Sequence, residues 1–209
     1  MKFNTWTLEP SKYLTGREAE RLLRVARYRA EWAESHHQKI AIRDYFLIHL
    51  ALATGLRVME MAALQCGDVC LNNKLCSILV RKGKGGKRRL VLFAGAFQKH
   101  CIKYFQWKQD VGESLQPEAP LIVLSNTGGH MTTRAIQKIF KKYARRAKLY
   151  ANYSIHSLRH TYASLLLKAS HNNLRLVQKQ LGHARITTTQ VYADVMLPDT
   201  KRALDRMPV

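Results

Sequence analysis

The sequence predicts a mostly α-helical domain that carries a small antiparallel β-sheet, an α+β arrangement. Three observations predict it. Apolar residues recur at helical spacing, with capping signals, near the start and through most of the second half. Two short β-branched runs in the middle flank a glycine-rich turn. Hydrophobic residues make up 46% of the 209 residues and are spread along the whole chain; that suits one sizeable core and is short for two ordinary domains.

The elements follow in order. Thr15 to Glu18 has the form of a capping box, and Ala19, Leu22, Leu23 and Ala26 follow at helical spacing, so a first helix starts near residue 16. A second periodic stretch runs from about Ile40 to Ala53 and stops at Thr54-Gly55, where glycine suits a helix C-terminus. A short third helix carries Val58 to Leu64. LCSILVR (75–81) and RLVLF (89–93) read as a hairpin closed by KGKGGK. A helix over about 95–110 follows, then a loop with Pro117 and Pro120, then LIVL as a candidate edge strand. From Thr132 the pattern is helical almost to the end, with breaks near Asn152, residues 171–173, Gly182 and Pro198.

Lysine and arginine total 35 against 14 acids, a formal charge of +21, which makes a polyanion the expected partner. No apolar run approaches the roughly 18 to 20 residues of a spanning helix, and the N-terminus has no hydrophobic signal core, so a soluble cytoplasmic protein is expected. The cysteines at 66, 70, 76 and 101 form no C-x-x-C pair and are expected to be reduced.

The charge concentrates in two stretches. RKGKGGKRR (81–89) holds six cations in nine positions, and places Arg81, Lys82, Lys87 and Arg88 among candidate contacts to that polyanion, on a tip whose glycines permit close approach. It lacks the G-x-x-x-x-G-K-[ST] order of a nucleotide P-loop. In KIFKKYARRAK (138–148), Lys138, Lys141, Lys142, Arg145 and Arg146 share one helix face, while Ile136, Ile139, Phe140, Tyr143 and Ala147 line the other. The basic face is expected on phosphates and the apolar face on the core.

IHSLRHT (155–161) poses a choice, since His156 and His160 one turn apart can share a metal ion while Arg159 between them suits an anion. The zinc-protease form H-E-x-x-H has a glutamate where this chain has Ser157, and no third ligand is evident, so no metal site is expected. Taken singly, Arg57, His183 and Tyr192 are unremarkable. Their joint order is not: TGLR (Arg57), GKGGK (Lys84), IHSLRH (His156, Arg159), LGH (His183), then Tyr192 nine residues later.

From about residue 15 onward that order resembles the tyrosine recombinase, or phage integrase, family. The resemblance implies the family's catalytic-domain fold over 15–209, with 1–14 as an extension or linker remnant and about 197–209 as a segment docking on a neighbouring subunit. It implies Arg57, Lys84, His156, Arg159, His183 and the nucleophile Tyr192 as the active site, with Glu60 and His160 in support; Lys82 and Lys87 share the tip with Lys84. It further implies cleavage and rejoining of double-stranded recombination sites without metal or ATP. The expected assembly is a homo-tetramer on DNA and a monomer when free, in a bacterial or mobile-element setting, with accessory DNA-bending or directionality proteins as further partners. Most members carry an additional N-terminal helical domain, so this chain reads either as an excised catalytic fragment or as a short single-domain member. Two rival readings are a type IB topoisomerase, disfavoured by H-x-L-R-H-T and L-G-H, and a catalytically silent DNA-binding relative, disfavoured by the filled catalytic positions.

Overall fold

Thr15 fixes where the first helix begins. Its hydroxyl accepts from the Glu18 backbone N–H at 3.2 Å, and the Glu18 carboxylate accepts from the Thr15 N–H at 2.8 Å, so two otherwise orphaned donors are satisfied. The structure, a computed structural model, describes residues 12–72, 75–81, 88–124 and 128–183. Helix α1 (Gly16–Ser35) buries Ala19, Leu22, Ala26, Ala30 and Ala33 against α2 (Lys39–Thr54). Small residues at that seam let the two helices approach closely. Helix α2 is buried on several sides through Phe46, Leu47, Ile48, Leu50 and Ala51, and ends at Gly55 with φ 60°.

A short α3 (Val58–Ala62) leads to a tight turn at Cys66–Asp68 and to the sheet. That sheet has three antiparallel strands in the order β1 (Val69–Asn72), β2 (Leu75–Val80), β3 (Arg89–Leu92). In the β2–β3 register Val80 faces Arg89 and Ile78 faces Val91, which sends Ile78, Val80 and Val91 into the core. Helix α4 (Gly95–Asp110) stacks Tyr104 on Phe46 of α2, ring centroids 3.8 Å apart. Helices α5 (Thr133–Arg146), α6 (Ile155–Ala169) and α7 (Leu174–Leu181) are the remaining elements of the described residues. The first part of α6 belongs to the main core through Ile155 and Leu158. Its later part forms a second cluster, Ala163 and Leu167 with Val177 and Leu181 of α7.

Among the described residues the helices, the two hairpin strands and the mostly helical class agree with the sequence expectation, and three local features differ; the hairpin tip, the helical pattern expected after 183 and the segment 197–209 lie outside the described residues. Strand β1 was not expected. The LIVL segment is no edge strand: Leu121 and Ile122 are buried, and the contacts there are isolated bridges, Gln65 to Pro120 and Val123 to His130. Helix α3 stops at Ala62 rather than Leu64, because the Leu64 carbonyl accepts the Leu121 N–H at 3.0 Å and is drawn out of the helical ladder.

Two buried polar groupings hold α4 in place. Lys108, fully buried, donates to Glu113 Oε2 at 2.7 Å and to the Pro120 carbonyl at 3.3 Å, and Arg43 of α2 pairs with the other Glu113 oxygen. Glu113→Gln leaves two desolvated cations without a counter-charge and is expected to cost about 3 kcal/mol or more in unfolding free energy by urea titration. A change below about 1 kcal/mol would show the cluster to be solvated.

Across the α2–α4 seam, His49 Nδ1 lies 2.8 Å from His100 Nδ1, so one ring donates and the other accepts. Burial pushes His49 down to about 4, and burial with the neighbouring His49 and Lys103 pushes His100 down to about 3. An unfolded histidine titrates near 6.5, so as pH falls the unfolded chain takes up protons first. Stability is therefore lost between about pH 6.5 and 4. The urea midpoint should drop from pH 7 to pH 5, and this drop should shrink in a His49→Leu/His100→Phe double variant; an equal drop in both proteins would exclude the pair as its source.

Candidate active site

Arg57 is placed by the way α2 ends. Gly55 turns the chain in the left-handed region, where a Cβ would also meet the Tyr162 ring at 2.3 Å. Leu56 plugs into the core, and Arg57 caps α3. The Arg57 N–H donates to Glu60 Oε2 at 2.8 Å and its Nη1 donates to Glu60 Oε1 at 2.9 Å. Glu60 is itself buried, and Arg89 of β3 forks onto it, Nη1 to Oε1 and Nη2 to Oε2, both at 2.8 Å. Burial would raise the Glu60 carboxyl, but the hydrogen bonds from Arg89 and Arg57 prevail and hold it at about 2. It remains a carboxylate at any working pH.

Arg159 projects from the first turns of α6, which begins with reciprocal Ser154–Ser157 capping. Only 7% of Arg159 is exposed. Its Nη1 donates to the Gly55 carbonyl at 2.7 Å and its Nη2 to the Leu181 carbonyl at 2.8 Å. One guanidinium thus joins the C-terminal ends of α2 and α7. Just past the second end, Gly182 adopts φ 65° and the His183 N–H donates to the Gln178 carbonyl at 3.1 Å.

His183 is pushed down to about 4, by burial first and then by the charges of Arg159, Arg57, Arg89 and His160. His160 is also held at about 4, by burial first, then by Arg159, His156 and Lys12. Both imidazoles are neutral near pH 7 and keep one donor and one acceptor nitrogen. The fold therefore gathers Arg57, Glu60, Arg159, His160 and His183 around one cationic centre. His156 lies at its exposed edge, one helical turn before His160. Lys82, Lys84, Lys87 and Tyr192 lie outside the described residues. Among the described residues no group of three or more His, Cys, Asp or Glu is placed to hold a metal ion.

Arg89 is the member that sequence reasoning missed. It is the last of six cations in 81–89, and composition does not separate it from its neighbours. Its strand parity does, since Arg89 and Val91 share the inward face.

A groove of about 680 Å³ opens beside His156, lined among others by Arg134, Lys138, Lys141 and Arg145 of α5. The apolar face of α5 is buried as expected, through Ile136, Phe140, Tyr143 and Ala147. The basic face divides. Lys138, Lys141, Arg145 and Arg146 are exposed, whereas Lys142 turns inward to the buried carboxylate of Asp44. Lys141 also donates to the Ala151 carbonyl at 2.7 Å. On the sheet, Arg88 is exposed but Arg81 is held by Asp68 through hydrogen bonds of 2.6 and 2.9 Å. Lys142 and Arg81 thus act first as structural ion pairs, because a desolvated carboxylate needs a cation more than the surface does.

Comparison with known proteins places this arrangement. The chain is 32% identical over 167 residues to the tyrosine recombinase XerC of Vibrio parahaemolyticus, covering 80% of this chain and 52% of that protein. It is 39% identical over 158 residues to the tyrosine recombinase XerD of Ralstonia nicotianae, covering 75% and 49%. The chain thus spans about half the length of the curated relatives it matches. Among solved structures, the XerH site-specific recombinase in a post-cleavage complex with palindromic difH substrate superposes with a TM-score of 0.73 at 25% identity, over 94% of this chain and 53% of that one. The XerA recombinase gives 0.72 at 26% identity, over 95% and 66%. The phage integrase family model matches residues 12–197. That match runs through Arg57, Arg159 and His183 and on to Tyr192, and the chain belongs to the phage integrase family.

Proposed function

We propose that this chain supplies the catalytic domain of a site-specific DNA recombinase that cleaves and rejoins DNA through a 3′-phosphotyrosyl bond. The observation that carries it is the convergence of Arg57, Arg159 and His183, from three separate stretches of sequence, on one buried cationic centre beside a basic groove. Two guanidiniums there suit the non-bridging oxygens of a phosphodiester, whose charge grows as the phosphorus is attacked.

In the proposed step the Tyr192 oxygen attacks phosphorus, the bond from phosphorus to the 5′ oxygen breaks, and a 3′-phosphotyrosine and a 5′ hydroxyl result. A phenol of pKa about 10 is a poor nucleophile near neutral pH. His156 takes its proton. Lys84 gives a proton to the departing 5′ oxygen, and neutral His183 hydrogen-bonds the phosphate. The new ester is close in energy to the one broken, so a 5′ hydroxyl from a second duplex reverses the step on a new partner, and the balance calls for neither ATP nor metal. Exchange between two duplexes calls for several protomers, and we propose a tetramer on DNA with residues 197–209 docking on a neighbour. The DNA-bound structures of relatives such as the XerH–difH complex support DNA as the partner.

Two experiments test this reading. Wild-type protein incubated with nicked duplexes of randomised core sequence should trap some as SDS-resistant adducts, and Tyr192→Phe should trap none while keeping duplex affinity. An adduct in the Phe variant would remove Tyr192 from the nucleophile's role. Duplex affinity should also fall steeply with added salt, and Lys138→Ala or Arg145→Ala should each lower the log–log slope by about one. Lys142→Gln should leave the slope as it is, since Lys142 is committed to Asp44; an equal loss of slope there would place Lys142 on phosphate.

A further inference from the structure

Glu60 accepts four hydrogen bonds, two on each oxygen, one pair from Arg57 and one from Arg89. The carboxylate is saturated and is clamped between two elements. Arg89 reaches a third as well. Its Nε donates to the Gln180 carbonyl at 3.3 Å in the last turn of α7, and the Gln180 side-chain oxygen accepts from the Leu92 N–H at 3.1 Å, so α7 is stitched to β3 twice. The Arg89 stem then runs against Gly182, where a Cβ would lie 2.7 Å from Arg89 Cδ and 2.9 Å from Nε. His183 is the next residue.

The charge count gives this contact a purpose beyond packing. A carboxylate paired with Arg57 alone cancels the charge that a phosphate would need. With Arg89 on the same carboxylate, two cations share one anion and the group keeps a net charge of +1. The field at the centre thus depends on Arg89, although its fork is taken up by Glu60.

We propose that Arg89 is a positioning residue for both Arg57 and His183: it fixes Arg57 through the Glu60 carboxylate and fixes the approach to His183 through the Gln180 carbonyl and Gly182. The assignment rests on the recombinase reading only for what is positioned; the anchoring itself is independent of it. The groups facing His183 are Arg159 and His160 from α6, Arg57 from the turn before α3 and Arg89 from β3, with Glu60 behind the last two.

The test compares Arg89→Gln and Arg89→Lys with the wild-type chain by two readouts, the NMR titration of His183 without DNA, and single-turnover cleavage of a nicked duplex recovered from the randomised library. Arg89→Gln removes one of the cations that hold His183 down and leaves Glu60 with Arg57 alone, so the His183 titration should move up measurably. Arg89→Lys keeps the charge and should titrate within about half a unit of wild type. Without the fork it should cleave about tenfold or more slowly. Duplex affinity should stay within about twofold in both variants, because neither change touches the α5 cations. Cleavage by Arg89→Lys within about twofold of wild type, or an unmoved His183 in a folded Arg89→Gln, overturns the proposal. If Arg89→Gln does not fold, Arg89→Lys decides. If wild-type protein traps no duplex at all, the recombinase reading falls, and the His183 titration alone decides for or against Arg89 as the anchor.

Discussion

The centre of this protein depends on one guanidinium held by two backbone carbonyls. Arg159 is buried, and its Nη1 and Nη2 donate to the carbonyls of Gly55 and Leu181, at the C-terminal ends of α2 and α7. Helix C-termini carry partial negative charge on carbonyls that the helix itself leaves unpaired. These two carbonyls solvate the cation through dipoles, where a carboxylate would bring a full negative charge. In a desolvated place the guanidinium interacts with an anion far more strongly than in water.

The same logic separates the cations of this very basic chain into two kinds. Lys108 and Arg43 share Glu113, Lys142 has Asp44, and Arg81 has Asp68; these ion pairs hold elements together. At the centre three guanidiniums act on one imidazole, that of His183. Arg57 and Arg89 have one carboxylate between them, and Arg159 donates to two helix-end carbonyls. The resulting surplus helps keep His160 and His183 neutral.

Much of this was legible in the sequence, for reasons that can be named. The capping box at Thr15 and the glycine after Thr54 are local signals, and the helices they bound appeared as expected. TGLR, IHSLRH and LGH were legible together because their residue types are unusual in that order. Strand β1 was not, since four residues in half-buried alternation give too short a period to detect. The inward turn of Lys142 was invisible because helical periodicity defines a face, while Asp44, which draws the side chain in, lies on another helix. Arg89 shows the same limit: a register between strands picks one cation from a run of six.

Gly55 and Gly182 bear no group that could bind or react, yet both end a helix in the left-handed region and both lie against a side chain that fills the space of a Cβ, Tyr162 in one case and Arg89 in the other. Any residue with a side chain there is doubly penalised, by its backbone torsion and by collision. The carbonyl of Gly55 and that of Leu181, next to Gly182, are the oxygens that seat Arg159. The seat of Arg159 is therefore specified by two hydrogen atoms in place of methyl groups. In this protein two positions with no chemistry of their own decide where a reactive cation sits.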